Sequence, residues 1–213
     1  NAGVEVAINL DHGQDVGYVK RCLHEGFSSV MMDASMHDIE ENIRITREMV
    51  EFAMTYDASV EAEVGNMGAV VGDSWTESDM FTDPDKAIYF IRHTGVDCLA
   101  ISYGSTHGDY PEGYTPEFHF DIVKKIKDAT GIPLVLHGGS GAGEANIRKS
   151  IESGINKINV GSDFMRGQKM FLKKELEKND SMDYPALIHG TVAAGKEVVK
   201  KYIEMSGSKN KSK

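Results

Sequence analysis

The sequence predicts an α/β fold of the (β/α)8 TIM-barrel type, on three observations. Short β-branched runs alternate with longer helical patterns from end to end. The runs read as strands buried on both faces, the mark of a parallel sheet covered by helices. Polar residues and glycines collect at the C-terminal ends of those strands, where parallel α/β folds hold their ligands.

Six runs carry the strand pattern: VEVAINL (4–10), SSVMMDA (28–34), SVEAEVG (59–65), DCLAISYG (97–104), IPLVLHG (132–138) and INKINVG (155–161). Between them, Ile39, Ile43 and Val50, with Met49 and Phe52 nearby, mark one apolar helix face, Ile122, Val123 and Ile126 a second, and Ile147 and Ile151 a third. Two helices follow the sixth run, at about 164–178 and 184–205. A closed barrel needs eight strands. The reading therefore expects two βα units upstream of a chain whose first residue is Asn1 rather than methionine. An open doubly wound sheet is the competing architecture. With no Pro- or Ser-rich linker, residues 1–206 read as a single domain, and 207–213 as a solvated, disordered tail. Residues 66–81, with two glycines, one tryptophan and no period, read as a lid loop.

Composition narrows the function. The 213 residues carry 23 Lys+Arg against 33 Asp+Glu, a net charge of −10. That balance argues against nucleic acid or an anionic membrane as the partner. A small phosphorylated ligand stays open, because backbone N–H groups hold phosphate without a basic surface. No apolar stretch approaches the roughly 20 residues that span a bilayer. Two cysteines, Cys22 and Cys98, are too few for a disulfide framework and suggest a reducing, cytoplasmic compartment.

The strand ends supply the chemistry. His12, His107 and His137 come from three different ends, and each precedes a glycine. Neutral imidazoles converging from separate strands make a three-histidine metal set that leaves a coordination position for substrate. His189 also precedes glycine but lies in a late helical region, and His24, His93 and His119 sit in or beside helix patterns. Asp11, beside His12, has two readings: proton exchange with a bound hydroxyl, or orientation of a ligand histidine. Glu61 and Glu63 share one face of their strand. Paired acids inside a barrel are costly unless they meet a cation or donors, and Asp33 and Glu63 read as a pair that could hold a second cation or park the catalytic one between turnovers. HGGSG (137–141) and NVGSD (159–163) read as a phosphate corner, built from the glycine N–H groups and the Ser140 and Ser162 hydroxyls. Lys157, on the face of Asn159, reads either as a Schiff-base lysine or as the ion-pair partner of Glu61 or Asp33.

The strings LDHG, MMDAS, SVEAEVG, GSTHG, LHGGSG and KINVGSD resemble, in order, the motifs of the zinc-dependent class II ketose-bisphosphate aldolases of the fructose- and tagatose-bisphosphate type. The resemblance covers residues 4–162 and weakens in the last helices. It implies Zn²⁺ on His12, His107 and His137, and Asp11 as the acid/base acting on the C4 hydroxyl. Asp33 and Glu63 match an alternative metal site. Gly108, Gly138, Gly139, Ser140, Asn159, Val160, Gly161 and Ser162 match the positions that hold dihydroxyacetone phosphate, with a monovalent cation (Na⁺ or K⁺) nearby. A cytoplasmic homodimer or homotetramer is implied as well. The lid departs from the pattern. Gly68-Ala69-Val70-Val71-Gly72-Asp73 stands where the family carries Gly-Gly-x-Glu-Asp, which leaves Asp73, Glu77 and Asp79 as substitutes for its glutamate. HGTVAAGK (189–196) lacks the arginine expected for a second phosphate. The alternative is a sugar-phosphate-binding relative that is non-catalytic or altered in specificity.

Overall fold

Among the described residues, six strands form one curled parallel sheet in chain order: β1 (Asn9–Gly13), β2 (Ser29–Met32), β3 (Ser59–Val64), β4 (Cys98–Ile101), β5 (Leu134–Leu136) and β6 (Ile155–Ile158). The computed structural model describes residues 3–65, 81–105, 116–178 and 183–211. The intervening helices are α1 (Val16–His24), α2 (Ile39–Ala53), α3 (Pro84–Thr94), α4 (Phe120–Thr130) and α5 (Glu144–Ser153). α6 (Ser162–Lys178) and α7 (Tyr184–Met205) follow β6 and pack on each other. The lid assigned to 66–81 lies outside the described residues except for Phe81.

Local chemistry starts the helices where the sequence changes period. Asp15, Asp38 and Asp83 each turn a carboxylate onto a backbone N–H of the first turn of α1, α2 and α3. Pro84 occupies the start of α3, where its missing N–H costs nothing.

The sheet has two different faces. Val30, Met32, Val60, Ala62, Val64, Leu99, Ile101, Leu134 and Leu136 point outward into the main core, where α1 to α5 cover them side by side. Among the described residues the inner face carries a small apolar cluster, Met31, Ala100 and Val135, with Cys98 beside it. Glu61 and Glu63 belong to that inner face, and both are buried. Alternation along each strand thus places apolar mass outside and charge inside.

The first strand departs from the sequence reading. It runs from Asn9 rather than Val4, and Val4, Val6 and Ile8 are 53%, 72% and 59% exposed. The cause is the neighbouring strand. The ladder opens with Asn9 opposite Ser29, with Ser29 N–H donating to the Ile8 carbonyl, so β2 offers residues 4–7 no partner. β-branched side chains favour a strand only where a pleated neighbour packs against them.

Candidate active site

β1 does not end regularly. Leu10 pairs with Val30 and Gly13 with Met32, so Asp11 and His12 together face a single residue of β2. This bulge leaves His12 at φ 49°, a left-handed conformation that non-glycine residues seldom adopt. In a regular strand, adjacent side chains point to opposite faces. Here the bulge lets Asp11 and His12 serve one centre. Each offers a ligand atom that lies within 4.8 Å of the others in a set completed by His137, just beyond β5.

The two imidazoles meet edge to face, with Nε2 of His12 and Nδ1 of His137 3.0 Å apart. Each gives its other nitrogen to a carboxylate. His12 Nδ1 donates to Asp33 Oδ2 at 2.8 Å, and His137 Nε2 donates to Glu61 Oε1 at 2.8 Å. Carboxylates that accept from one imidazole nitrogen aim the other at a metal and raise its basicity. A donor set of this kind fits a divalent, imidazole-binding ion. A second set, His12, Asp33 and Glu63, meets the same 4.8 Å limit. Glu63 Oε2 lies 4.0 Å from His12 Nδ1 and 3.9 Å from His137 Nδ1.

The acids respond to these neighbours. Burial pushes Asp33 upward, but the hydrogen bonds from His12 and from the Ser35 hydroxyl and N–H overcome it and hold the carboxyl at about 2. The bond to Asp33 raises the His12 imidazole, although partial burial opposes it. Glu61 is fully buried, yet the bond from His137 and the charge of Lys157 keep it below the ordinary carboxylate range. Lys157 donates to Glu61 Oε2 at 2.6 Å, which is the ion-pair reading of that lysine. The Cys98 thiol, raised to about 12 chiefly by burial and then by Glu61, stays protonated and also lies in reach of Oε2.

On the next strand tip, Asn159 donates from Nδ2 to Asp11 Oδ1 at 3.0 Å. It thereby ties the expected acid/base to the loop after β6. The glycine turn 138–141 approaches that loop closely. A Cβ on Gly139 would sit 2.8 Å from Ile158 Cγ2 and 3.1 Å from the Asn159 carbonyl oxygen. Val160 and Gly161 bridge β6 to α6, and Ser162 is the first residue of α6 rather than part of the strand-end loop. The Ser140 hydroxyl accepts from Asp163 N–H at 3.0 Å. Asp163 Oδ2 accepts from Gly141 N–H at 3.4 Å and from the Tyr202 hydroxyl at 2.6 Å. The corner therefore already holds one carboxylate, which Arg166 pairs.

The structure thus brings together Asp11, His12, Asp33, Glu63, His137 and Asn159, with the 138–140 turn packed against Asn159. His107 and Gly108 lie outside the described residues. Sequence reasoning missed the bond from His137 to Glu61, whose only signal was the shared face with Glu63. It also missed Tyr202, which reaches the glycine turn from a long helix without any motif. His24 and His93 lie in α1 and α3, His119 precedes α4, and His189 lies in α7.

Comparison with known proteins adds the chain's relatives. The family model described as fructose-bisphosphate aldolase class-II matches residues 1–211. A fructose-bisphosphate aldolase of Geobacillus stearothermophilus is 40% identical over 200 residues, spanning 94% of this chain and 68% of that one. The crystal structure of the YdjI aldolase from Escherichia coli K12 superposes with a TM-score of 0.84 at 33% identity, covering 100% of this chain and 73% of that chain. The structure of a putative fructose-1,6-biphosphate aldolase from Coccidioides immitis gives a TM-score of 0.85 at 30% identity, covering 99% and 74%.

Proposed function

This chain belongs to the class II fructose-bisphosphate aldolase family, a family of lyases, and from that premise we propose that it is a zinc-dependent aldolase. Its reaction is the reversible cleavage of a ketose phosphate, of the fructose- or tagatose-1,6-bisphosphate kind, to dihydroxyacetone phosphate and an aldehyde. The observation that carries the reading is the paired orientation of His12 and His137. Each is bonded to a carboxylate on one side and faces the other ring across 3.0 Å, with Asp11 in the same set.

In this reading His12, His137 and His107 hold the metal, and Asp33 with Glu63 form its alternative position. When bound, a Zn²⁺ ion acts as a Lewis acid that stabilises the negative charge developing as the carbon–carbon bond breaks. The remaining work belongs to the chain. Asp11 accepts the proton of the substrate hydroxyl on cleavage and returns it on condensation, and Asn159, bonded to its Oδ1, holds that carboxylate at the cleft. Gly108, Gly138, Gly139, Ser140, Val160, Gly161 and Ser162 take the phosphate, with a monovalent cation (Na⁺ or K⁺) beside it. Two upstream βα units complete the barrel, and the assembly is a cytoplasmic homodimer or homotetramer. The altered lid sequence, Gly68 to Asp73, favours a second reading, in which the aldehyde half of the substrate differs from that of fructose 1,6-bisphosphate.

The test is a retro-aldol screen of fructose, tagatose and related ketose phosphates. Exhaustive chelation should abolish turnover and Zn²⁺ restore it, while borohydride with substrate should trap no adduct on Lys157. Turnover that persists after complete metal removal refutes the zinc reading.

A further inference from the structure

The Lys157–Glu61–His137 chain runs across the inner face of the sheet from β6 to β3 to the end of β5, and its acceptor carboxylate and donor imidazole are both sealed. Glu61 and His137 are both 0% exposed. Lys157 Nζ sits 2.6 Å from Glu61 Oε2, and Glu61 Oε1 sits 2.8 Å from His137 Nε2. The Cys98 thiol adds a second contact to Oε2 at 3.6 Å. Lys157 thus claims one carboxylate oxygen and leaves the other facing the ring.

His137 Nε2 has a second neighbour of opposite character. Asn159 Nδ2, an obligate donor, lies 3.1 Å from the same nitrogen. An imidazole nitrogen either carries hydrogen and donates, or carries a lone pair and accepts. Glu61 selects the first state and Asn159 the second. The choice decides what the ring presents at Nδ1, the atom turned toward His12 Nε2 and the shared centre. With hydrogen on Nε2, Nδ1 offers a lone pair to that centre, and in metal-free protein the 3.0 Å contact is then a hydrogen bond donated by His12 Nε2. With the donor of Asn159 in command, hydrogen moves to Nδ1 and the metal face is blocked. The partner at one ring nitrogen sets the tautomer at the other.

We propose that Lys157 is a positioning residue that selects the metal-binding tautomer of His137, by anchoring Glu61 so that its free oxygen outcompetes the Asn159 amide at Nε2. The proposal rests on the reading of His12 and His137 as metal ligands. Its first consequence, however, is visible in metal-free protein. Lys157 contacts neither substrate nor metal in this scheme and acts only through Glu61.

The experiment uses the whole chain labelled with ¹⁵N-histidine, with long-range ¹H–¹⁵N spectra of the metal-free protein and with Zn²⁺ and Co²⁺ affinities from chelator competition. Signals of His137 are assigned by their loss in His137→Gln. Wild-type protein should show His137 with hydrogen on Nε2. Lys157→Met should move it toward the Nδ1–H form and weaken metal binding about 10- to 100-fold, the range typical of lost partners of metal-bound histidines. Lys157→Arg, which keeps a charged donor, should restore both. Glu61→Gln, which keeps the size of the side chain, should shift the tautomer as Lys157→Met does, and it stands in for Lys157→Met if that variant does not fold. Wild-type His137 in the Nδ1–H form overturns the proposal without any variant. So does a Lys157→Met protein that keeps Nε2–H and binds metal within about twofold of wild type. Failure of the wild-type chain to bind Zn²⁺ or Co²⁺ instead refutes the metal reading, and the tautomer spectra still decide the role of Lys157.

Discussion

Replacing Asp33 by asparagine tests the coupling between site and stability most directly. Asp33 is 9% exposed and holds His12 Nδ1 at 2.8 Å, with Ser35 N–H and hydroxyl on its other oxygen. Asparagine preserves the shape and can still accept from Ser35, but it lacks the charge. The folded carboxyl lies at about 2 against an ordinary 3.8. A depression of that size is worth about 2 kcal/mol at neutral pH. The sign follows from the direction of the shift. A depressed carboxyl stabilises the fold fully above its unfolded value, and the contribution disappears as pH falls toward the folded one. About half of it is gone by pH 3. His12 reports the same bond from the other side. Its raised value gives stability that is complete below 6.5 and is lost as pH rises through the folded value. The two effects describe one interaction and are not added. Urea unfolding of metal-free wild-type and Asp33→Asn proteins should differ by about 2 kcal/mol between pH 5 and 6, with the gap closing toward pH 2. A gap that stays constant from pH 6 to pH 3 refutes the reasoning.

Three further substitutions probe other parts of the site. Asp11→Asn should lower kcat by about 10²- to 10⁴-fold, the contribution usual for a positioned acid/base, while the midpoint of a chelator competition stays near wild type. A large loss of metal with no separate loss of kcat would assign Asp11 to ligation instead. Gly139→Ala forces a Cβ against Ile158 Cγ2 and the Asn159 carbonyl, a stiff side chain and a backbone atom. It should cost about 1–3 kcal/mol in unfolding experiments and raise KM for the phosphorylated substrate more than it lowers kcat. Gly13→Ala meets Val19 Cγ2 at 2.5 Å, the Met31 carbonyl oxygen at 2.8 Å and Leu10 Cδ2 at 2.9 Å, beside the bulge that aims His12. It should destabilise the fold by a similar 1–3 kcal/mol and weaken metal binding, as read by thermal melts and chelator competition. An unchanged melting temperature would show that the bulge tolerates a wider turn.

Much of this architecture is legible in the sequence because burial and period are. β2 to β6 all fall within β-branched runs, since a strand covered on both faces must be apolar along its length. The last helix, expected at 184–205, spans Tyr184–Met205, with Asp183 supplying the start signal. The first strand is misread because Val4, Val6 and Ile8 carry the pattern without a partner to pair with. The bulge at Asp11 and His12 has no sequence signature at all. LDHG names both residues but cannot say that they face the same way. Glu61 was legible as an inward acid and Lys157 as a possible partner, yet their service to His137 depends on contacts across three strands. Period-two reasoning assigns faces, not neighbours.

Those cross-strand contacts also measure how far the sheet curls. Adjacent strands lie about 4.8 Å apart, so in a flat sheet β1 and β5, four spacings apart, would be separated by about 19 Å. The His12 and His137 rings nonetheless touch at 3.0 Å. Lys157 on β6 similarly reaches Glu61 on β3 at 2.6 Å, across three spacings that would span about 14 Å if flat. Curvature brings these groups within reach, and the groups in turn explain why the inner face tolerates so little apolar packing. Among the described residues, Met31, Ala100 and Val135, with Cys98 beside them, make up the apolar cluster there, next to the ion pairs and hydrogen bonds of Glu61. A sheet that flattened would separate His12 from His137 and part Glu61 from Lys157. Curvature of the sheet and the geometry of the site therefore depend on each other, and a substitution that weakens one should weaken the other.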